Sequence, residues 1–214
     1  HALAERLGFV LLKSGTLYRA VGYLALRHKT DLRSGLEMQR LINAHTLELR
    51  LGEDGSSCIL VDGSDPGPVL HKPEISEAAS LAASLGEVRA ALITAQREAF
   101  SEHGLVAEGR DQGTVIFPDA ELKFFIKADV EVRVMRRMAQ LYPNHADFDA
   151  ERLNSLKKEM EIEVVERDRR DQERSVAPTL PASDAIIIDN SRQTLTQLLQ
   201  NMYDSAASRG LVKR

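Results

Sequence analysis

Four apolar runs, each too short to make a helix, set the strongest limit on how this chain can fold. They are FVLL at residues 9–12, the LVA of GLVAEG at 105–107, LKFFIKA at 122–128, and AIIID at 185–189. Helical spacing of apolar residues fills the intervals at 16–28, 75–100 with a break near Gly86, 129–141 and 195–208. Short, continuously apolar strands that alternate with helices are strands covered on both faces, which predicts an α/β protein with a central parallel, doubly wound sheet. One insertion breaks the rhythm. LELRLGEDGSSCILVDG alternates apolar and polar residues around Asp54-Gly55, and this predicts an antiparallel hairpin over 47–62. A Pro/Gly-rich connector over 63–73 leads away from it. At the start, Ala2, Leu3 and Leu7 keep helical spacing and Gly8 suits a C-cap, yet no N-cap comes before them. The expectation is a helix entered part-way, whose upstream strand and loop precede His1.

With 214 residues, 43% apolar and 28% charged, the chain can fill one core with smaller appendages. A net charge of −4 speaks against a general nucleic-acid binder but leaves room for a local positive cleft. The single cysteine, Cys58, excludes an internal disulfide and is expected as a buried strand residue. No apolar run approaches the roughly 18 residues of a membrane span, and no signal peptide is visible. The expectation is a soluble, cytoplasmic, monomeric domain with neither nucleic acid nor membrane as partner.

Ligands of such sheets sit beyond the carboxyl ends of the strands, and two of those ends are unusually polar. After FVLL comes KSGTLYR, in which Ser14 can cap the next helix and Arg19 lies just past its first turn. An ordinary capped helix with an exposed arginine accounts for it equally. After LVAEG comes RDQGT, where Arg110 and Asp111 are bracketed by Gly109 and Gly113. A third stretch, ERDRRDQER at 166–174, sets four arginines against four carboxylates. As a solvated helix it would form the i, i+4 pairs Glu166/Arg170 and Arg169/Glu173, each worth roughly 0.2–0.5 kcal/mol. That scheme leaves Arg167, Asp171 and Arg174 on a separate face, suited to gripping a phosphate and a sugar hydroxyl.

Taken in order, LLKSGTLYRA, EAASLAASLGEVRAAL, AEGRDQGTVIFPDA, VRVMRRMAQL and ERDRRDQERSVAP closely resemble bacterial-type cytidylate kinases, up to about Asn190. The resemblance implies a three-layer P-loop nucleoside monophosphate kinase fold with a central parallel sheet, a lid segment and an enlarged monophosphate-binding insertion. It divides the chain into core (1–44), insertion with hairpin (45–74), core and monophosphate-site helices (75–141), lid region (142–178) and a closing strand and helix (179–214). It implies transfer of the terminal phosphoryl of ATP, with Mg2+, to CMP or dCMP. Position by position, Ser14, Ser80, Arg89 and Asp111 would line the cytosine end. Arg19, Arg110 and Arg174 would hold the acceptor phosphate as the catalytic arginines, and Arg167 and Asp171 would take the ribose hydroxyls. Arg133 and Arg137 would lie near the triphosphate, although a solvated helix face explains those two equally well. No protein metal ligand is implied.

Three departures stand out. No G-x-x-x-x-G-K-[ST] loop occurs in the 214 residues, so the chain as written is not expected to be a competent kinase. The expectation is an upstream segment of roughly twenty residues that carries the loop, given the helix without a start. Lys13 stands where the family has an acid, and an ammonium cannot ligate a cation. The segment YPNHADFDAERL lengthens the approach to the lid, and its His145 is expected as an exposed loop residue. Two other readings stay open: a non-catalytic nucleotide-binding protein on a kinase scaffold, favoured by Lys13, and a kinase for another pyrimidine monophosphate such as UMP. A glycine-rich loop with lysine upstream of His1 would favour the enzyme over the non-catalytic protein.

Overall fold

A computed structural model describes residues 1–52, 57–99 and 103–212. In order, its elements are α1 (Ala2–Leu7), β1 (Val10–Lys13), α2 (Ser14–His28), α3 (Gly35–Asn43), β2 (Leu47–Leu51), β3 (Ser57–Val61), α4 (Pro73–Ala82) and α5 (Gly86–Arg97). There follow β4 (Leu105–Glu108), β5 (Phe124–Lys127), α6 (Val130–Leu141), α7 (Ala150–Glu173), β6 (Ile186–Asp189) and α8 (Leu195–Ser208). Gly8 closes α1 in the left-handed region at φ 66°, as its position predicted.

The strands pair in parallel, as expected of an α/β protein. β1 lies beside β4 with Lys13 opposite Glu108, and β5 lies beside β6 with Lys127 opposite Asp189. Among the described residues these are two separate pairs. β1 is buried, but Ile126 and Ile187 are 46% and 58% exposed, so β5 and β6 are not covered on both faces as predicted. The hairpin forms with Leu47 opposite Val61. Its Asp54-Gly55 turn lies outside the described residues, as does Phe100. Cys58 corrects its expectation: it sits on β3 but is exposed, because the pleat gives the inward positions to Ile59 and Val61.

Two helices exceed what the sequence led us to expect. α3 was absent from the predicted pattern, although Ser34 caps it by accepting from the Glu37 amide and Met38, Leu41 and Ile42 bury one face. α7 runs 24 residues from its cap at Asp149 and packs Met160 against Val134 and Met138 of α6. The approach to it contains a short 3-10 turn, His145–Asp147. His145 there is half-buried rather than exposed, because its Nδ1 lies 2.8 Å from the Tyr142 carbonyl. Among the described residues no single helix is long and apolar enough to cross a membrane.

The main core joins α2, α3, α4, α5 and the hairpin through Leu17, Val21, Leu24, Met38, Ile59 and Leu92. Within it α2 and α4 touch backbone to backbone: a Cβ on Gly22 would come within 2.8 Å of the Ala79 nitrogen. Three residues before Gly22 stands Arg19, and three before Ala79 stands Ser76, so this close approach brings those two side chains together. Gly22→Ala gains up to about 1 kcal/mol of helix propensity but must push α4 away, at roughly 1–3 kcal/mol. We expect a lower urea midpoint at unchanged m-value. A raised midpoint would mean that the contact is slack.

Candidate active site

The carboxyl ends of β1 and β4 open into a cleft of about 400 Å³, within the roughly 300–1,000 Å³ of small-molecule sites. α2, α4 and the C-terminal half of α7 wall it. Every residue expected to touch the monophosphate lines it: Ser14, Arg19, Ser80, Arg89, Arg110, Asp111, Arg167, Asp171 and Arg174. Lys13 and Glu108 lie at its rim. Six cationic side chains therefore face three carboxylates, and a chain of net charge −4 carries a strongly positive cleft.

The cleft has two chemically different ends. At one end the Arg89 guanidinium bonds the Asp111 carboxylate, both nearly fully buried, and donates to the Ala83 carbonyl at 3.2 Å. The Ser80 hydroxyl, 5% exposed as a residue, has no hydrogen-bond partner among the described residues. Ser14 corrects the expectation of a helix cap. Lys13 holds the cap position, while the Ser14 hydroxyl donates to the Glu108 carbonyl at 2.8 Å. Its one proton is thus spent tying the start of α2 to the end of β4, and toward a ligand it can only accept. Gly109 makes that bond possible, since a Cβ there would lie 2.3 Å from the Ser14 oxygen.

At the other end arginines gather. Arg19 is anchored by the Leu70 carbonyl and the Ser76 hydroxyl, both at 2.7 Å. Asp171, buried on α7, is shared among Arg110 at 3.3 Å, Arg174 at 3.5 Å and Arg167 at 3.9 Å. Burial pushes the Arg19, Arg167 and Arg174 guanidiniums below their ordinary pKa, and like charges push the same way: Arg137 on Arg19, Arg110 on Arg167, Arg89 on Arg174. They remain cations, since an arginine starts so far above neutrality. Such crowding with one counter-charge is costly in the free protein and favours an incoming anion.

The outer face of the same helix is the contrast. Arg169 bonds both Glu166 and Glu173, with contacts of 2.6–3.1 Å, and these bonds raise its pKa. The expected Arg169/Glu173 pair is present, but Arg170 does not pair with Glu166. It reaches Glu77 of α4 at 2.9 Å, because Arg169 already occupies Glu166. Arg133 is tied to Asp168 at 2.6 Å and to the Ala128 carbonyl at 3.1 Å, and lies outside the cleft lining. Arg137 is also outside the lining, yet its charge is felt by Arg19 and Arg167.

The family model for cytidylate kinase matches residues 1–208. Curated proteins named cytidylate kinase from Salmonella paratyphi B, Salmonella newport and Salmonella heidelberg are each 39% identical over 206 residues. Those matches cover 96% of this chain and 87% of each relative. The chain belongs to the cytidylate kinase family. It is a phosphotransferase of the ATP-dependent class that phosphorylates CMP or dCMP.

For a cytidylate kinase the polarity of the cleft is informative, since one end offers paired hydrogen-bonding groups and the other a cluster of cations. Two contributors escaped the sequence reading. Ser76 was hidden because its role is to hold Arg19 across two helices, which no spacing within one helix reveals. Glu77 was hidden for the same reason, its partner Arg170 being on another element.

Proposed function

We propose that CMP or dCMP lies along the cleft with its base against Arg89, Asp111 and Ser80, and its phosphate among Arg19, Arg110 and Arg174. The observation that carries this is the convergence of those three arginines and the Arg89–Asp111 pair on one cleft. Cytosine offers a donating amine beside an acceptor nitrogen and an acceptor carbonyl. A carboxylate whose other side is fixed by a guanidinium matches that order: Asp111 accepts from the amine, and the Ser80 hydroxyl donates to the ring. Uracil would turn a carbonyl toward the carboxylate and leave it unpaired, the kind of mismatch a polar site rejects most strongly. Ser14 contributes an acceptor only.

Arg167 and Asp171 face the ribose between the two ends. When the phosphate arrives, Arg110 and Arg174 turn from Asp171 toward it, and Asp171 is released to accept a sugar hydroxyl. An oxygen of the CMP phosphate then attacks the terminal phosphorus of ATP in line with the β–γ bridging oxygen, whose bond to that phosphorus breaks, giving CDP and ADP. The arginines neutralise the acceptor and hold it in line, which is most of what such a transfer asks of a protein. Arg137 adds positive charge on the triphosphate side, and Arg133 braces α6 to α7 through Asp168 rather than touching ATP. Among the described residues no group of three potential metal ligands exists, and Asp111 and Asp171 are engaged by arginines. Magnesium, typical of ATP-using kinases, would supply positive charge to the transferring phosphates. Residues 142–178 act as the lid and 45–74 as the insertion on the monophosphate side, and the Arg170–Glu77 pair joins α7 to α4.

Titration calorimetry with CMP and UMP tests the base assignment. Asp111→Ala should weaken CMP by roughly 10- to 100-fold and UMP far less. Equal losses would remove Asp111 from base recognition.

A further inference from the structure

The carboxylate that reads the base sits at the start of an unusual turn. Asp111 leads into a single π-helical turn, Gln112–Ile116, in which the Ile116 amide reaches back to the Asp111 carbonyl at 3.3 Å and the Phe117 amide to that of Gln112 at 2.7 Å. Such wide turns are rare and hold their shape only when the surroundings fix them. Here α5 supplies much of that fixing, beside Lys123, which packs against Gly113. α5 meets the turn at three successive levels. Arg89 bonds Asp111. One further buried polar residue on the same face, Gln96, is wholly inaccessible to solvent; it accepts from the Gln112 side-chain amide at 3.1 Å and donates to the Leu92 carbonyl at 3.1 Å. Arg97 then donates from Nε to the Ile116 carbonyl at 3.1 Å and from its terminal nitrogen to the Val115 carbonyl at 3.0 Å.

We infer that Gln96 and Arg97 are positioning residues for base selectivity: through Gln112 and the 115–116 carbonyls they hold the turn that aims Asp111. Neither lines the cleft, so neither touches the nucleotide. The physical case rests on what else Gln96 could be doing. A fully buried amide is costly unless its groups are bonded, and an apolar side chain would fill that position in a buried face shared with Val88, Arg89 and Leu92. Gln96 uses its carbonyl on the residue next to Asp111 and also meets the Tyr18 hydroxyl, another group that lines the cleft. Gly109 shows how closely that neighbour is held, since a Cβ there would come within 2.7 Å of the Gln112 amide nitrogen. With the lower rungs removed, Arg89 alone would tether Asp111, and the carboxylate could follow the guanidinium instead of staying opposed to the amine. Selectivity between the cytosine amine and the uracil carbonyl depends on that alignment, beside the second difference at the ring nitrogen, which accepts in cytosine and carries N–H in uracil.

This inference rests on the reading of Asp111 given above, and the experiment separates the two. Dissociation constants for CMP and UMP are measured by calorimetry on the wild-type chain and on Asp111→Asn, Gln96→Met, Arg97→Ala and Arg97→Lys, with thermal midpoints recorded in parallel. Arg97→Ala and Gln96→Met should each reduce the CMP-over-UMP preference by about five- to tenfold through weaker CMP binding, with UMP changed by less than about twofold. Arg97→Lys, which keeps one donor, should recover part of the preference. A merely structural role would lower the thermal midpoint and leave the preference at its wild-type value. If Asp111→Asn collapses the preference while the Gln96 and Arg97 variants retain it, the positioning role is overturned and the base site stands. If Asp111→Asn also retains it, the base-site reading falls and takes this inference with it.

Discussion

Arg174→Ala is expected to raise the dissociation constant for CMP by roughly 10- to 150-fold, the worth of about 1.5–3 kcal/mol for a charge-assisted contact. The affinity for cytidine, which has no phosphate, should stay within about twofold, because in the proposed pose Arg174 bonds the phosphate while Arg89 and Asp111 bond the base. Stability is expected to change little, because Asp171, which loses Arg174 at 3.5 Å, keeps Arg110 and Arg167 as counter-charges. The side chain donates to the Ala177 carbonyl at 2.5 Å, a bond worth about 1 kcal/mol net. Against that stands the cost of burying a guanidinium close to Arg89, which is the reason its pKa is depressed. That depression starts from an arginine's ordinary value, far above neutrality, so the group is protonated in folded and unfolded chains alike near neutrality and adds no pH dependence there. Calorimetry with CMP and cytidine, beside a urea titration, checks all three statements. A parallel loss of both ligands would make Arg174 a structural residue.

Asp171→Ala should have the opposite profile, with stability as its main casualty. Removing the carboxylate shared by Arg110, Arg167 and Arg174 leaves buried Arg174 without its counter-charge. Breaking a fully buried pair costs about 3–5 kcal/mol, and the loss is expected at or below the lower end because water screens the half-exposed Arg110 and Arg167. An anion placed in the cleft can substitute for it. Inorganic phosphate should therefore raise the urea midpoint of the variant more than that of the wild type, in proportion to the logarithm of its concentration once bound. Asp171→Asn, which keeps the shape and removes the charge, should follow the alanine variant. A variant as stable as the wild type and indifferent to phosphate would mean that the arginines do not depend on Asp171.

The two variants separate roles that the sequence presented as one. In ERDRRDQER the i, i+4, i+7 spacing of Arg167, Asp171 and Arg174 was legible, and the structure does put them on one cleft-facing side. What spacing could not reveal is that Asp171 serves in the free chain as the hub of three arginines, since Arg110 comes from a distant loop. Partners on other elements were equally invisible: Arg170 to Glu77, Arg19 to Ser76, Arg133 to Asp168. The strands were readable because short apolar runs are hard to disguise. Their burial was not, since it depends on what packs over them, and Ile187 shows an apolar run facing outward. α3 was readable in principle from Ser34 before GLEMQRLI and Glu37 in its first turn, but the segment is short and lies between two stronger patterns. Cys58 was misjudged because its type favours burial, whereas the pleat of β3 decided otherwise.

The most direct test is a crystal structure of the chain with CMP. It should place the phosphate oxygens within hydrogen-bonding distance of Arg19, Arg110 and Arg174 together, and the cytosine amine on Asp111. A CMP whose phosphate reaches none of those three guanidiniums, or whose base leaves the Arg89–Asp111 pair untouched, would contradict the account.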